Sequence, residues 1–286
     1  MTTRRDFVKL AGIACLPIGA GALATALPIV SGQASSLAAT KASRAWNIGI
    51  AGYTFLAYNN NIDRIIEVMK AVEVKNISLK NFQLPYENNK QQTDEVIGKF
   101  KAAGIEVYGL GVIYLTDEKE VDNAFSYAQM AGVKIIIVAP AYEVLPYLEK
   151  KAKEYNIKVA IHNHGPEDKL FPDIDKIYEK IKSMDPLMGI CLDIGHTFRC
   201  GHDPAAMLLK YKDRIYDMHV KDVDAPVEKG QTVINGHGKI DFISLVKALN
   251  KSGYSGICSL EYERNGDPAL GVAESVGHFR GVLSCV

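Results

Sequence analysis

The chain has no excess of charge of either sign: 33 basic residues face 33 acidic ones, and the formal net charge is zero. A nucleic-acid binder usually carries a basic excess, at least locally, so no polyanion partner is expected. Cysteine is sparse and scattered. Apart from Cys15 there are Cys191, Cys200, Cys258 and Cys285, widely spaced and with no CxxC pair, which excludes a small disulfide-stapled scaffold. Beyond residue 40 there is no transmembrane-length apolar run, no low-complexity tract and no internal linker. A glycine-rich nucleotide loop is also missing, since "GIAGYTF" after the first strand-like run lacks the required spacing. What remains is an ordinary globular composition, 48% hydrophobic, with enough apolar material for a full core.

The amino-terminal stretch is different in kind. "MTTRRDFVKLAG" carries Arg4 and Arg5, then Phe7 and a lysine, followed by an apolar segment and the small-residue tail "SGQASSLAAT". A basic head, apolar middle and small-residue end form an export signal, and the paired arginines mark the twin-arginine type. Pro17 and Pro28 make the segment poor material for a packed helix. Residues 1–39 are therefore expected to be removed, giving a periplasmic protein not held in a membrane. Residues 40–286 are expected to form one catalytic domain, about 250 residues, a typical length for a (β/α)₈ barrel.

From residue 46 the hydrophobic period alternates. "WNIGIAGY" reads as a strand; Ile62, Ile65, Ile66, Met69 and Val72 then recur at helical spacing. "NISLK", "IEVYGLGV", "VKIIIVAP", "KVAIHNH", "MGICLDIG", "IYDMHVKD" and "GICSLEYE" read as seven further strands, separated by amphipathic helical runs. The fourth is apolar throughout, as a strand covered on both faces should be. Eight strand–helix units predict an α/β fold of the closed (β/α)₈ TIM barrel type, with an open doubly wound sheet as the alternative.

In such barrels functional groups gather at the carboxyl ends of the strands. His162 closes the fifth strand, Asp193 the sixth and Glu261 the eighth, and His219 lies near the end of the seventh. Four consecutive strands thus end in side chains able to bind a divalent metal. Polar groups in apolar runs cost free energy unless paired or coordinated, so the coincidence points to a metal centre. A hydrogen-bonded polar cluster is the alternative. His164 shares a face with His162, and the sequence leaves open which is the nearer ligand. Lys221 and Glu263 lie two residues beyond His219 and Glu261, either as working groups or as a salt-bridged rim pair. Lys80, Tyr53, Arg199, His202 and His237 are further candidates for the mouth, whereas Asp203 and Pro204 read as a helix N-cap and first helical residue.

The motifs "LDIGHT", "HVKD", "GHGKIDF" and "SLEYE" resemble those of the xylose isomerase-like barrels, the sugar phosphate isomerases and epimerases. The resemblance implies a divalent metal held by Asp193, His219 and Glu261, with His196 contacting substrate or metal. Many relatives carry "ENHG" where this chain has "HNHG", so His162 replaces a glutamate. Nitrogen ligation of this kind suits Co, Ni, Zn or Fe better than Mg, and the expected divalent metal is one of Mn, Co, Zn, Ni or Fe. Asn81 and Gln83 also depart from the "KDFHLP" seen in relatives.

The expected function is a metal-dependent sugar isomerase or epimerase acting on a small carbohydrate through an enediolate. Glu261 or Lys221 is the expected base, with His164 and His196 orienting or protonating oxygen. Loss of one carboxylate at position 162 favours the alternative, a 3-keto-glycoside lyase. A non-catalytic sugar-binding protein is the alternative from a different class.

Overall fold

The apolar runs read from the sequence become strands because each is covered on both sides, by helices outside and by the barrel interior within. The computed structural model describes residues 46–286. The expected export segment, residues 1–39, lies outside the described residues. Among these, the strands in chain order are β1 (Ile48–Ala51), β2 (Asn76–Leu79), β3 (Glu106–Leu115), β4 (Ile135–Pro140), β5 (Lys158–His162), β6 (Met188–Asp193) and β7 (Ile215–Val220). Then come the short β8 (Asp222–Val223) and β9 (Thr232–Val233), and finally β10 (Ile257–Leu260). All but β8 and β9 pair in parallel and close in the order β1-β10-β7-β6-β5-β4-β3-β2. β1 bonds to β10 on one edge and β2 on the other, so the fold is a closed barrel and the open sheet is excluded.

The outer helices are α1 (Ile62–Ala71), α2 (Lys90–Ala102), α3 (Glu118–Ala131), α4 (Leu145–Tyr155) and α5 (Ile174–Ile181). After the short α6 (Ile194–Arg199) follow α7 (Pro204–Tyr211), α8 (Phe242–Ser252) and α9 (Ala269–Cys285). Their starts follow from local chemistry. Asn89 and Gln92 form a capping box on α2, and Asp117, Asp173, Asp203 and Asp241 each accept a backbone N–H of the first turn. Asp203 and Pro204 take the cap and first-turn positions expected of them. α3 ends on Gly132 at φ 75°, a left-handed cap that a residue without Cβ adopts at no steric cost.

The main core lies between strands and helices. Ile65, Met69, Leu110, Leu148, Ile177, Leu208 and Leu245 are fully buried there. Each such side chain contributes roughly 1.5–3 kcal/mol relative to remaining exposed. Inside the barrel a smaller group of Ile137, Ala160 and Cys191 packs together. Nearby, Tyr108 Oη stands 3.2 Å from Asp217 Oδ1 and 2.6 Å from Ser259 Oγ.

Three features were not anticipated. β3 runs on to Leu115, which carries Tyr114 to the rim. "DIGHT" coils at once into α6. The loop after β7 contains the antiparallel β8–β9 pair, held by Asp222. Among the described residues no helix is long and apolar enough to cross a membrane.

Candidate metal centre

Every second side chain of a barrel strand points inward. Register then aligns the strands: His162 pairs with Cys191, Asp193 with His219, and His219 with Ser259. One donor atom from each of His162, Asp193, His219 and Glu261 lies within 4.8 Å of the others, and all four residues are buried. His162 Nε2 is 3.0 Å from His219 Nδ1 and 3.4 Å from Asp193 Oδ2. Glu261 Oε2 is 3.0 Å from His219 Nδ1 and 4.0 Å from His162 Nε2.

Local structure explains why "HNH" ends its strand. Asn163, pointing the other way, accepts from Asp193 N–H at 2.9 Å and donates to Asp193 C=O at 3.2 Å, which pins β5 to the end of β6. Asp193 is also the cap of α6: its Oδ1 accepts from His196 N–H at 2.8 Å, leaving Oδ2 to face the cluster. Lys221 follows directly on β7. Its Nζ is 3.0 Å from Asp193 Oδ2, 2.8 Å from Glu261 Oε2 and 3.0 Å from Glu263 Oε2, with only 1% of the side chain exposed. Its stem passes so close to Gly195 that a Cβ there would sit 2.3 Å from Lys221 Cγ.

Opposed charges set the protonation states. Burial alone would lower the affinity of Lys221 for its proton, but Asp193, Glu261 and Glu263 overcome this and hold it well above the usual lysine range. Burial likewise opposes ionisation of Asp193, and Lys221 with His196 holds it below the usual carboxylate range. Glu261 is held well below its ordinary value by His219 and Lys221 against the same desolvation. Burial, the largest effect on His162, pushes its pKa well down, so the ring is neutral. His219 is raised, because Glu261 outweighs desolvation.

The other expected residues divide into two groups. His164 lies outside His162, at 4.6 Å between ring centroids, and stacks on Tyr114 at 5.8 Å; the inner position is therefore that of His162. His196 Nε2 is 3.4 Å from Lys221 Nζ, and burial lowers its pKa to about 4. Arg199 reaches His196 Nδ1 at 3.1 Å and pairs with Glu167. Lys80 donates to Val112 C=O at 3.2 Å and lies over the Tyr53 ring. His202 and His237 do not join them. His202 faces Asp173 at 3.9 Å, and His237 is exposed and pairs with Glu274 of α9 at 2.6 Å. Lys221, expected as a base or an oxygen partner, has three carboxylates beside it that favour its charged form.

Sequence reasoning missed Asp217, whose Oδ2 lies 3.7 Å from His219 Nε2 and whose pKa burial raises to about 6. The signal was available, since Asp217 and His219 are two apart on one strand face. Asp222 was missed as well, and no spacing rule would have found it.

The arrangement fits a bound divalent ion. Around one ion at about 2.1 Å, neighbouring ligand atoms stand roughly 3.0–3.4 Å apart, and three of the four separations above fall in that span. Of the donor atoms that face one another, Asp193 Oδ2 is buried without a hydrogen-bond partner among the described residues. Asp193 Oδ2 has the Lys221 ammonium beside it, but no well-directed hydrogen bond. Two imidazoles and two carboxylates form a borderline donor set.

A parallel barrel with such a cluster at its carboxyl end belongs to the class of (β/α)₈ proteins built to hold a metal at the mouth. Residues 70–282 match the xylose isomerase-like TIM barrel, and the chain belongs to that family. Among relatives, an inosose dehydratase of Clostridium tetani (strain Massachusetts / E88) is 34% identical over 139 residues, 43% of this chain and 45% of that protein. The rhizopine catabolism protein MocC of Rhizobium meliloti is 28% identical over 145 residues, 43% of this chain and 42% of that protein. The chain spans less than half the length of these relatives. Among solved structures, the IolI protein with a binding zinc atom superposes with a TM-score of 0.71 at 19% identity, covering 84% of this chain and 98% of that one. The 3-keto-D-glucoside 4-epimerase YcjR of E. coli superposes with a TM-score of 0.68 at 18% identity, covering 82% and 99%. At these identities the two structures share the fold.

Proposed function

We propose that this chain is a divalent-metal-dependent enzyme of keto-sugars that removes a proton beside the carbonyl and then eliminates a leaving group. One observation carries the reading: four metal-ligand donors converge at the barrel mouth, with a buried cationic lysine against both of their carboxylates. His162, Asp193, His219 and Glu261 would hold the ion, drawn from Mn, Co, Zn, Ni or Fe. Such an ion supplies Lewis-acid polarisation of a carbonyl and its neighbouring hydroxyl.

The chain's own groups divide the remaining work. Lys221 is a fixed ammonium and donates to the oxygen that gains negative charge as the enediolate forms. Glu261 is held ionised as a ligand, which leaves the neutral His164 at the mouth as the proton acceptor, and the imidazolium so formed returns that proton to the departing oxygen. His196, also neutral, lies between Lys221 and Arg199 and orients a substrate oxygen. Elimination is favoured because His162 replaces a second carboxylate base, and relatives named inosose dehydratases support that direction. The second reading is isomerase or epimerase. His164 and His196, with ring centroids 6.3 Å apart, provide two neutral proton carriers for it.

Elemental analysis of the purified protein, with NMR of products from 3-keto-glycosides and free ketoses, tests the proposal. Stoichiometric metal and an unsaturated product support it, and an epimer selects the second reading. His162→Ala, Asp193→Ala, His219→Ala and Glu261→Ala should each lose metal and activity together. Metal retained by Asp193→Ala and His219→Ala would overturn the site assignment. We also infer export, with residues 1–39 removed and residues 40–286 catalytic; the twin-arginine head supports a periplasmic location. Fractionation of cells making an Arg4→Lys, Arg5→Lys variant tests it, the expected result being retention in the cytoplasm.

A further inference from the structure

The turn that follows β5 is built around one carboxylate. Asp168 N–H donates to Gly165 C=O at 3.0 Å, and the chain then returns beside the strand end, His164 N–H donating to Phe171 C=O at 3.0 Å and Gly165 N–H to Pro172 C=O at 3.1 Å. Asp168 Oδ1 accepts from the N–H groups of Leu170 at 2.7 Å and Phe171 at 3.0 Å, the local pairing for which a short acidic side chain is suited. With Oδ1 so committed, Oδ2 is the oxygen left over, and it stands 3.2 Å from His164 Nδ1. The ring is held from its other sides. Tyr114 stacks on it at 20° from parallel, and His162 meets it edge to face. Nδ1 is buried and has no well-directed hydrogen bond among the described residues, while 20% of the side chain is exposed. The accessible edge of the ring is therefore that of Nε2.

A neutral imidazole carries a proton on one nitrogen and a lone pair on the other, and the partner of the first fixes the role of the second. A lone pair on Nδ1 would set two acceptors against each other at 3.2 Å, whereas an Nδ1 proton faces a carboxylate oxygen. From this geometry we infer that Asp168 is the positioning residue of His164, keeping its ring in the Nδ1–H tautomer so that the lone pair of Nε2 is presented at the mouth. The inference deepens the proposed reaction and rests on it for the role of His164 as proton acceptor. In that reaction Nε2 takes a proton from carbon and gives it back to the departing oxygen. The Nδ1 proton stays on the ring throughout, and Asp168 neither gains nor loses one. The opposite tautomer carries a proton where the lone pair is needed and accepts nothing.

Asp168→Asn tests this because it keeps the turn. Its Oδ1 still accepts from Leu170 and Phe171, which puts the amide nitrogen where Oδ2 stood. An N–H donor at that place calls for a lone pair on Nδ1, so the tautomer should invert to Nε2–H. The first readout is nitrogen NMR of the isotopically labelled, zinc-exchanged protein at a pH where the ring is neutral, with the His164 signals assigned by their absence from His164→Ala. Nδ1 should be protonated in the wild type and unprotonated in Asp168→Asn. The second readout is kinetic. With a 3-keto-glycoside, kcat should fall about 10²-fold, less than the roughly 10⁴-fold that a wrong tautomer costs in a buried triad, because Asp168 is partly exposed. KM and metal content should stay within about threefold, as expected of a group that acts through the base and not on substrate or ion. An unprotonated Nδ1 in the wild type, a tautomer unaltered by Asp168→Asn, or an inverted tautomer with undiminished kcat overturns the inference. If the wild type turns over no keto-sugar, the proposed reaction fails on its own account. Inversion of the tautomer then still supports the pairing of Asp168 with His164, and its absence overturns it.

Discussion

Lys221→Met removes one ammonium and keeps most of the stem. Three carboxylate oxygens, of Asp193, Glu261 and Glu263, stand 2.8–3.0 Å from that nitrogen in a site where the lysine is almost wholly buried. Removing one partner of a buried ion pair leaves an uncompensated charge and costs about 3–5 kcal/mol. Glu263 is partly exposed and recovers some hydration, so the lower half of that range is expected. The assay is urea unfolding of chelator-treated protein, at pH 7 and at pH 3.5. Asp193 and Glu261 have folded pKa values below their unfolded values of about 4. The stability they contribute through Lys221 is therefore complete above pH 4 and is lost as the pH falls further. The gap between wild type and variant should be full at pH 7 and narrower at pH 3.5. A divalent ion binds only the folded chain, so at a hundred times its Kd it returns about 2.7 kcal/mol to the variant. Activity should stay at least 10²-fold down even in saturating metal. A loss of stability under 1 kcal/mol, or recovery of activity on adding metal, refutes the argument.

Other perturbations probe the frame around the site. The Asp222 carboxylate accepts from the N–H groups of Val223, Gly236, Gly238 and Ile240 at 2.9–3.2 Å, organising the loop that carries β9. Asp222→Ala should lower stability by roughly 3–5 kcal/mol, because two of those donors lie at buried residues, and should speed hydrogen exchange across residues 223–241. A melting temperature unchanged within a degree contradicts this. Gly195→Ala should cost about 1–3 kcal/mol by overpacking against the Lys221 stem, with a fall in kcat. Wild-type thermal stability and kcat in that variant would mean that Lys221 has room to move.

Strand period and apolar runs made the barrel legible, because a doubly covered strand must be apolar and a surface helix must repeat at 3.6 residues. Asp203 with Pro204 marked the start of α7 for the same kind of local reason. The cluster was legible in part: a polar side chain ending an apolar strand is conspicuous, and four such ends appeared in succession. His237 shows the limit of that reading. It looked like a pocket residue because it sits in a glycine-rich loop, yet the Asp222 anchor turns that loop so that His237 meets Glu274 on α9.

By itself, then, the sequence determined the alternation of strands and helices and the chemistry available at each strand end. Both are set by neighbours within a few residues. Tertiary structure alone decided that His162 lies inside His164, that Lys221 meets three carboxylates that favour its charged form, and that Asp217 lies beneath His219. Those outcomes depend on the register and closure of strands dozens of residues apart. Protonation in a dry interior answers to the summed field of all of them, and no local pattern encodes that sum.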